Sequence, residues 1–173
     1  MSELDEAWAL ALAEAERRAR GAGRGEIADY LALRASNDLA RRAGIQWLLD
    51  TFSRVAGEAN RAGGSIQMSR QEAHRFGAGH STMVGSALIF RLGVRELLVE
   101  AGWPRAPRDG FVRGGGLALA NIKHLGKRAS DEELMLVRSD NGTPQWLALE
   151  KTGARRELAE ESVRLHIARF LGT

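Results

Sequence analysis

Apolar residues in the first third of the chain recur at the three- and four-residue spacing of amphipathic helices. The pattern predicts a first helix with an N-cap at Ser2 and an end at Gly21. A second helix is predicted from about Gly25 to about Arg61. Gly44 interrupts this second pattern at a cost of about 1 kcal/mol relative to alanine, which leaves a kink or a break as an alternative to one continuous helix.

The two predicted helices differ in length by a factor of two. At 1.5 Å per residue they would span about 27 Å and about 54 Å, so the shorter one can cover only half of the longer one. The apolar residues from Ile45 to Ala59 therefore need another partner. We expect that partner to be a sheet of the same chain, with a second subunit as the alternative.

The apolar spacing changes from about 3.6 to 2 after Gly64, which predicts β-strands in the middle of the chain. Gly93 turns one predicted hairpin, and Asn141-Gly142 turns the last one because this dipeptide tolerates positive φ angles. The predicted strands and final helix are Ile66–Phe76, Thr82–Leu92, Val94–Trp103, Leu117–Leu125, Leu134–Val137, Trp146–Leu149 and the helix Ala159–Leu171.

A run of helices, then strands, then a helix is typical of the α+β class. We predict an N-terminal helical hairpin, a mostly antiparallel sheet of five or six strands, and a C-terminal helix packed on one face of the sheet. The chain is predicted to form a single α+β domain over residues 1–173. Within it, residues 1–62 form the helical part, residues 63–150 the antiparallel sheet and residues 157–172 the C-terminal helix.

The composition is that of a globular protein, with 44% hydrophobic and 27% charged residues. No apolar run approaches the roughly 18 residues of a membrane span, so no membrane partner is predicted. The acidic start of the chain is unlike a signal peptide, and the chain has no cysteine for a disulfide or a thiolate site. Together these features lead us to expect a cytoplasmic location.

The positive charge is concentrated in one segment. Residues 103–128 hold six basic groups and one acidic group, a net charge of +5, while the whole chain carries only +3. The rest of the chain is therefore slightly acidic. A solvated surface without a ligand is the simpler interpretation of such a segment, and a contact surface for an anionic partner is the functional one.

Several features of this segment suit a phosphate-bearing partner. Arginine forks bind phosphate, glycines let the backbone approach a ligand, and Trp103 offers a stacking face. We predict a binding site, for nucleic acid in preference to a free nucleotide, that consists of Trp103, Arg105, Arg108, Asp109, Arg113, Gly114, Gly115, Gly116, Lys123, Lys127 and Arg128. The structural alternatives are a bulge or hairpin tip at the three glycines, a packing role for Trp103 and a local Arg108–Asp109 ion pair.

Catalytic chemistry has less support, and no cofactor, metal site or catalytic residue is predicted. The chain lacks a dinucleotide-binding glycine fingerprint and the spacing of a nucleotide-binding loop. The four histidines show no zinc spacing. Asp109 followed by Asn121 and Lys123 resembles the order of acidic and lysine positions in some metal-dependent nucleases, but asparagine replaces the needed carboxylate.

Two acidic residues of the third predicted strand are given structural roles. We interpret Glu96 and Glu100 as cross-strand partners of Arg91 or Arg95. The function that the sequence favours is therefore a non-enzymatic binding module. The alternatives are a protein–protein or homodimeric assembly component that uses the apolar face of the second helix, and then a metal-dependent nuclease.

Overall fold

A computed structural model describes residues 3–173, so the predicted N-cap at Ser2 lies outside the described residues. The elements are α1 (Glu3–Gly21), α2 (Gly25–Arg61), β1 (Gln67–Ala78), β2 (Ser81–Leu92), β3 (Arg95–Trp103), β4 (Ala118–His124), β5 (Glu132–Arg138), β6 (Pro144–Leu149), β7 (Arg155–Glu157) and α3 (Glu160–Leu171). The predicted α+β class and its helix–sheet–helix order are confirmed. No helix among residues 3–173 is long and apolar enough to cross a membrane.

The chain divides into two compact units, one ending at Arg42 and the other running from Ala43 to Thr173. The first unit is a hairpin of α1 and the beginning of α2. The Trp8 indole Nε1–H donates to the Asp38 carboxylate over 3.4 Å. The Arg34 guanidinium lies 5.1 Å from the centre of the Trp8 ring. These contacts join the open end of the hairpin, opposite its connecting loop.

The second unit contains a seven-stranded sheet in which each strand pairs with the next one along the chain. All six pairs are antiparallel. The sequence predicted five or six strands because β7 gives no hydrophobic signal. All three of its residues are exposed, and it is defined only by its pairing with β6.

The core lies between one face of the sheet and two helices. Alternate residues of the central strands, such as Leu97 and Val99, meet Leu48 and Phe52 of α2 and Ile167 of α3. Leu48 and Phe52 are fully buried. The expectation that the Ile45–Ala59 half of α2 packs on the sheet is therefore confirmed, and this helix face is not available to a second subunit.

Helix α2 runs without a break through Gly44, so the alternative of a break is wrong. The glycine is explained by packing, because a Cβ at this position would lie 2.6 Å from a methyl carbon of Leu136 in β5. The Gly44 carbonyl also accepts a hydrogen bond of 2.8 Å from the buried Trp146 indole. A glycine at this point of α2 lets the helix approach the sheet closely.

The opposite face of the sheet, called here the outer face, has its own features. A small apolar cluster of Phe76, Met83, Leu119 and Met135 is buried there, and Val112 of the β3–β4 connection packs against it. The connection therefore crosses the outer face and covers part of it. This face also carries the polar side chains of Glu100, Asn121 and Lys123, beside the apolar Ile89 and Leu98.

Candidate nucleic-acid interface and its surroundings

The structure separates the predicted site into two groups at opposite ends of the sheet. Arg105, Arg108 and Arg113 lie in the connection after β3, whereas Lys127 and Arg128 follow β4. Because β3 and β4 are antiparallel, these groups stand about 20 Å apart, the length of seven strand residues. The six basic groups of the segment therefore do not form one patch. We call residues 104–116 the contact loop.

Asp109 holds the contact loop in place. The buried carboxylate accepts hydrogen bonds from the backbone N–H groups of Arg105 and Ala106, over 3.2 and 3.0 Å. It also pairs with Arg75 of β1 over 2.9 Å, so its ionic partner is Arg75 and not Arg108. Burial opposes its ionisation, but the hydrogen bonds from Ala106, Arg75 and Arg105 together lower the pKa of Asp109 below its usual value.

Trp103 has a packing role. Its side chain is 6% exposed and belongs to the main core. The Arg105 guanidinium lies 3.5 Å from the centre of the indole ring. This cation–π contact covers the ring, so Trp103 offers no free face for a base.

The three consecutive glycines are explained by local geometry. Gly114 and Gly115 have φ angles of 74° and 73°, a region that side chains with a Cβ rarely adopt. A Cβ on Gly116 would lie 2.6 Å from the Met135 sulfur and 2.9 Å from a Val112 methyl group. These glycines let the loop turn tightly and pack against the outer face.

Phe111 is the aromatic residue that the contact loop exposes. Its side chain is 71% exposed. The Ser81 hydroxyl donates to the Phe111 carbonyl over 3.0 Å and accepts from the Phe111 N–H over 3.3 Å, which fixes the backbone there. Arg108 and Arg113 on either side are exposed and form no ion pair with any residue between 3 and 173. The loop thus carries an exposed ring at residue 111 and, three residues before and two residues after it in the sequence, guanidinium groups without carboxylate partners among residues 3–173.

Arg155 is a further basic residue near the loop that the sequence did not single out. A Cβ on Gly114 would lie 3.5 Å from the Arg155 guanidinium, so the β7 side chain reaches the loop. Arg155 also has no ion pair within the described part of the chain. Its position could not be foreseen because β7 was not predicted.

A buried carboxylate lies on the outer face, and the sequence interpretation of it was wrong. Glu96 does pair with Arg91 over 2.9 Å, as expected. Glu100 is 2% exposed, and its partners are Lys123 at 2.6 Å, Asn121 at 3.0 Å and His74 at 2.8 Å. The sheet register decides this, because it sets Glu100 opposite Asn121, on the face away from the helices.

The Glu100 cluster is fully bonded. Burial alone would raise the pKa of Glu100, but the hydrogen bonds from Lys123, Asn121 and His74 outweigh it and lower the pKa below the ordinary value. The carboxylate is therefore ionised at neutral pH and satisfied by its three donors. This arrangement stabilises the centre of the sheet and orients Lys123, whose side chain remains 48% exposed.

The residues that the sequence suggested for a metal-dependent nuclease do not form a metal site in the structure. Asp109 is bound to Arg75, whereas Asn121 and Lys123 are bound to Glu100. No group of three or more His, Cys, Asp or Glu side chains among residues 3–173 is placed to hold a metal ion.

A second buried polar cluster lies on the helix-covered face. His124 of β4 and His166 of α3 are joined by a 2.9 Å hydrogen bond, and His166 lies 3.2 Å from Glu132. Burial, followed by the nearby positive charges, lowers the pKa of His124 to about 4. The ring is therefore neutral at pH 7. The proximity of His166 in turn lowers the pKa of Glu132, against the effect of burial.

Comparison of the chain with protein-family models, with curated proteins and with solved structures found no match.

Proposed function

We propose that the chain is a non-enzymatic binding module for nucleic acid and that the contact loop is its binding surface. The observation that carries the proposal is the exposed Phe111 ring in a loop that also holds Arg108 and Arg113, neither of which has an ion-pair partner in residues 3–173. Aromatic rings stack on bases, and arginine forks bind backbone phosphates.

The partner that best matches this surface is single-stranded. Bases in a duplex are stacked on each other, whereas a single strand can turn a base onto an exposed ring. Arg155 beside Gly114 supplies a third guanidinium next to the loop. Other phosphate-bearing ligands share the electrostatic part of this recognition but not the stacking.

The anchoring of the loop supports the proposal. Asp109 fixes its first half and Ser81 fixes Phe111, while Gly116 packs on Met135. A surface that is already ordered loses little conformational entropy when a ligand binds. Lys127 and Arg128 lie at the other end of the sheet, so their substitution is a matched control for the loss of two positive charges.

The test is fluorescence anisotropy with a labelled single-stranded oligonucleotide of ~12 nucleotides, between ~50 and ~200 mM salt. Phe111→Ala should weaken binding by about 5- to 150-fold, because stacking contributes about 1–3 kcal/mol per base. Replacing Arg108 and Arg113 by alanine should reduce the slope of log K against log salt by about 1.4, or about 0.7 for each lost phosphate contact. Alanine at Lys127 and Arg128 should leave both quantities unchanged.

Three results would contradict the proposal. The first is an absence of binding at ~50 mM salt, where phosphate contacts are strongest. The second is an equal loss of affinity in the Lys127 and Arg128 control, which would indicate nonspecific attraction to positive charge. The third is an unchanged affinity of the Phe111→Ala variant, which would mean that the loop binds phosphates but does not stack on bases.

A further inference from the structure

We propose that the helical hairpin at the beginning of the chain is a homodimerisation surface that binds a second copy of itself. This surface differs from the Ile45–Ala59 face of α2, which the sheet covers. It consists of one side of α1 and the neighbouring side of α2 before Arg42, and it is called here the hairpin face. Its large exposed side chains are Leu4, Trp8, Ile27 and Tyr30.

The hairpin has little core of its own. Its buried apolar residues are Leu12, Ala19, Ala28 and Ala40, of which only one is large. Helices in proteins owe most of their stability to the packing of an apolar face. Three alanines and one leucine bury little apolar surface between α1 and α2, so this packing stabilises the hairpin only weakly. The exposed apolar residues beside this small core therefore indicate a surface that another molecule covers.

The exposed apolar surface supplies part of one side of a dimer interface. The four large side chains are 82%, 44%, 47% and 62% exposed. At roughly 100 Å² for a fully exposed large apolar side chain, they offer about 240 Å². Ala11, Ala15 and Ala22 add to this area. A standard interface buries about 800 Å² per partner, of which somewhat more than half is apolar.

The shape of the hairpin face is complementary to itself. A hollow of about 580 Å³ lies near the hairpin loop and is lined by Ala15, Arg18, Ala19, Ala22, Arg24, Ile27 and Leu31. Leu4 projects at the other end and is 82% exposed. At 1.5 Å per residue, Leu4 lies about 11 Å before the midpoint of α1, and the hollow is centred about 10 Å beyond it.

This spacing determines the symmetry of the contact. A twofold axis through the middle of α1, between Ala11 and Leu12, places Leu4 of each copy opposite Ala19 of the other, inside the hollow. Leu4 of each copy then enters the hollow of the other copy, and the two contacts are identical, as a twofold interface requires. A partner of unrelated shape would leave this match unexplained.

The charges on α1 favour the same antiparallel arrangement. Its first turn is acidic, with Glu3, Asp5 and Glu6, and its last turn is basic, with Arg18 and Arg20. The twofold axis brings the acidic end of one α1 to the basic end of the other. Trp8 is held by Asp38 and Arg34, so this aromatic side chain is already fixed in the orientation that it would have in the interface.

The first experiment measures the mass of the full chain by sedimentation from ~1 to ~100 µM. We expect a dimer that dissociates on dilution. Replacing Leu4 and Tyr30 by glutamate should raise the dissociation constant by about tenfold or more. Leu10→Glu is the matched control, because Leu10 is 72% exposed on the opposite side of α1 and should leave the dimer intact.

The second experiment uses the absence of cysteine from the chain. Ala11→Cys should form an intermolecular disulfide in mild oxidant, because the twofold axis brings the two copies of this position together at helix-packing distance. Ala13→Cys lies on the opposite side of α1 and should remain a thiol. Both positions are exposed, so neither change removes a core contact.

The proposal fails if the chain stays monomeric at every concentration. This holds also if hydrogen exchange shows that the hairpin amides are protected within the monomer. It also fails if Leu10→Glu dissociates the dimer as strongly as the Leu4 and Tyr30 changes. Equal cross-linking at positions 11 and 13 would likewise exclude the twofold arrangement.

Discussion

Acidification from about pH 7.5 to about pH 5 should destabilise the second unit through His124. This ring is 4% exposed, and its Nε2 lies 2.9 Å from His166 Nδ1. We assign the proton so that His124 Nε2–H donates to His166 Nδ1. Protonation of His124 would place a charge beside Arg169 and Lys127 in a poorly hydrated site.

The size of the effect follows from the two pKa values of His124. The ordinary value is 6.5, and burial lowers the folded-state value to about 4. Because the unfolded chain binds the proton more readily, the free energy of unfolding decreases as the pH falls through this window. The full difference is at most about 3 kcal/mol, of which about 2 kcal/mol is lost by about pH 5.

The assay is urea unfolding at a series of pH values. His124→Gln keeps an N–H donor near the Nε2 position but cannot take up a proton. The difference in unfolding free energy between the original chain and this variant should change by about 2 kcal/mol between the two pH values. Titrating groups that do not contact the cluster of His124, His166 and Glu132 are common to both proteins and cancel. His80→Gln, at the exposed β1–β2 turn, is the control and should not alter the pH dependence.

A difference between the two proteins that stays constant with pH would refute the reasoning. It would mean that His124 accepts a proton in the folded chain as readily as in the unfolded chain. Equal behaviour of the His80 and His124 variants would lead to the same conclusion.

Two further changes test the packing of α2 and the anchoring of the contact loop. Gly44→Ala should lower the free energy of unfolding by about 1–3 kcal/mol, because its Cβ would lie 2.6 Å from Leu136. Gly57→Ala is the control: its Cβ would lie 3.7 Å from the flexible Arg61 side chain, so the change should stabilise α2 by up to about 1 kcal/mol. Chemical denaturation measures both, and equal effects would contradict the close-approach argument. Asp109→Asn should loosen residues 104–116, with faster proteolysis there and weaker oligonucleotide binding, because the carboxylate loses its charge towards Arg75. Cleavage and affinity that both remain unchanged would show that the loop does not depend on this anchor.

Local patterns were sufficient to predict most of the secondary structure. The predicted second helix, from about Gly25 to about Arg61, has the observed bounds, and the final helix ends before Gly172, which adopts a left-handed φ of 86°. The hairpin turn at Asn141-Gly142 is confirmed, with a φ of 82° at the glycine. These features depend on side-chain periodicity and on glycine's freedom in φ, which act over a few neighbouring residues.

The candidate site was only partly predictable. The sequence placed a connection rich in glycine and proline after Trp103, and it named Trp103 as a stacking face but gave Phe111 no such role. Alternation along β3 places Trp103 in the core, and only the folded chain shows that Arg105 covers it. Arg155 joins the loop through β7, a strand without a hydrophobic pattern.

The sequence by itself determined the α+β class, the order of the elements and the positions of the main turns, because these follow from local periodicity and backbone freedom. Only the tertiary structure decided that Gly44 allows a helix to approach the sheet and that Glu100 is held by three donors. It also decided that the basic groups of residues 103–128 lie at two ends of the sheet. Each of these outcomes depends on strand register and on contacts between residues distant in the chain, which no local pattern of side chains specifies.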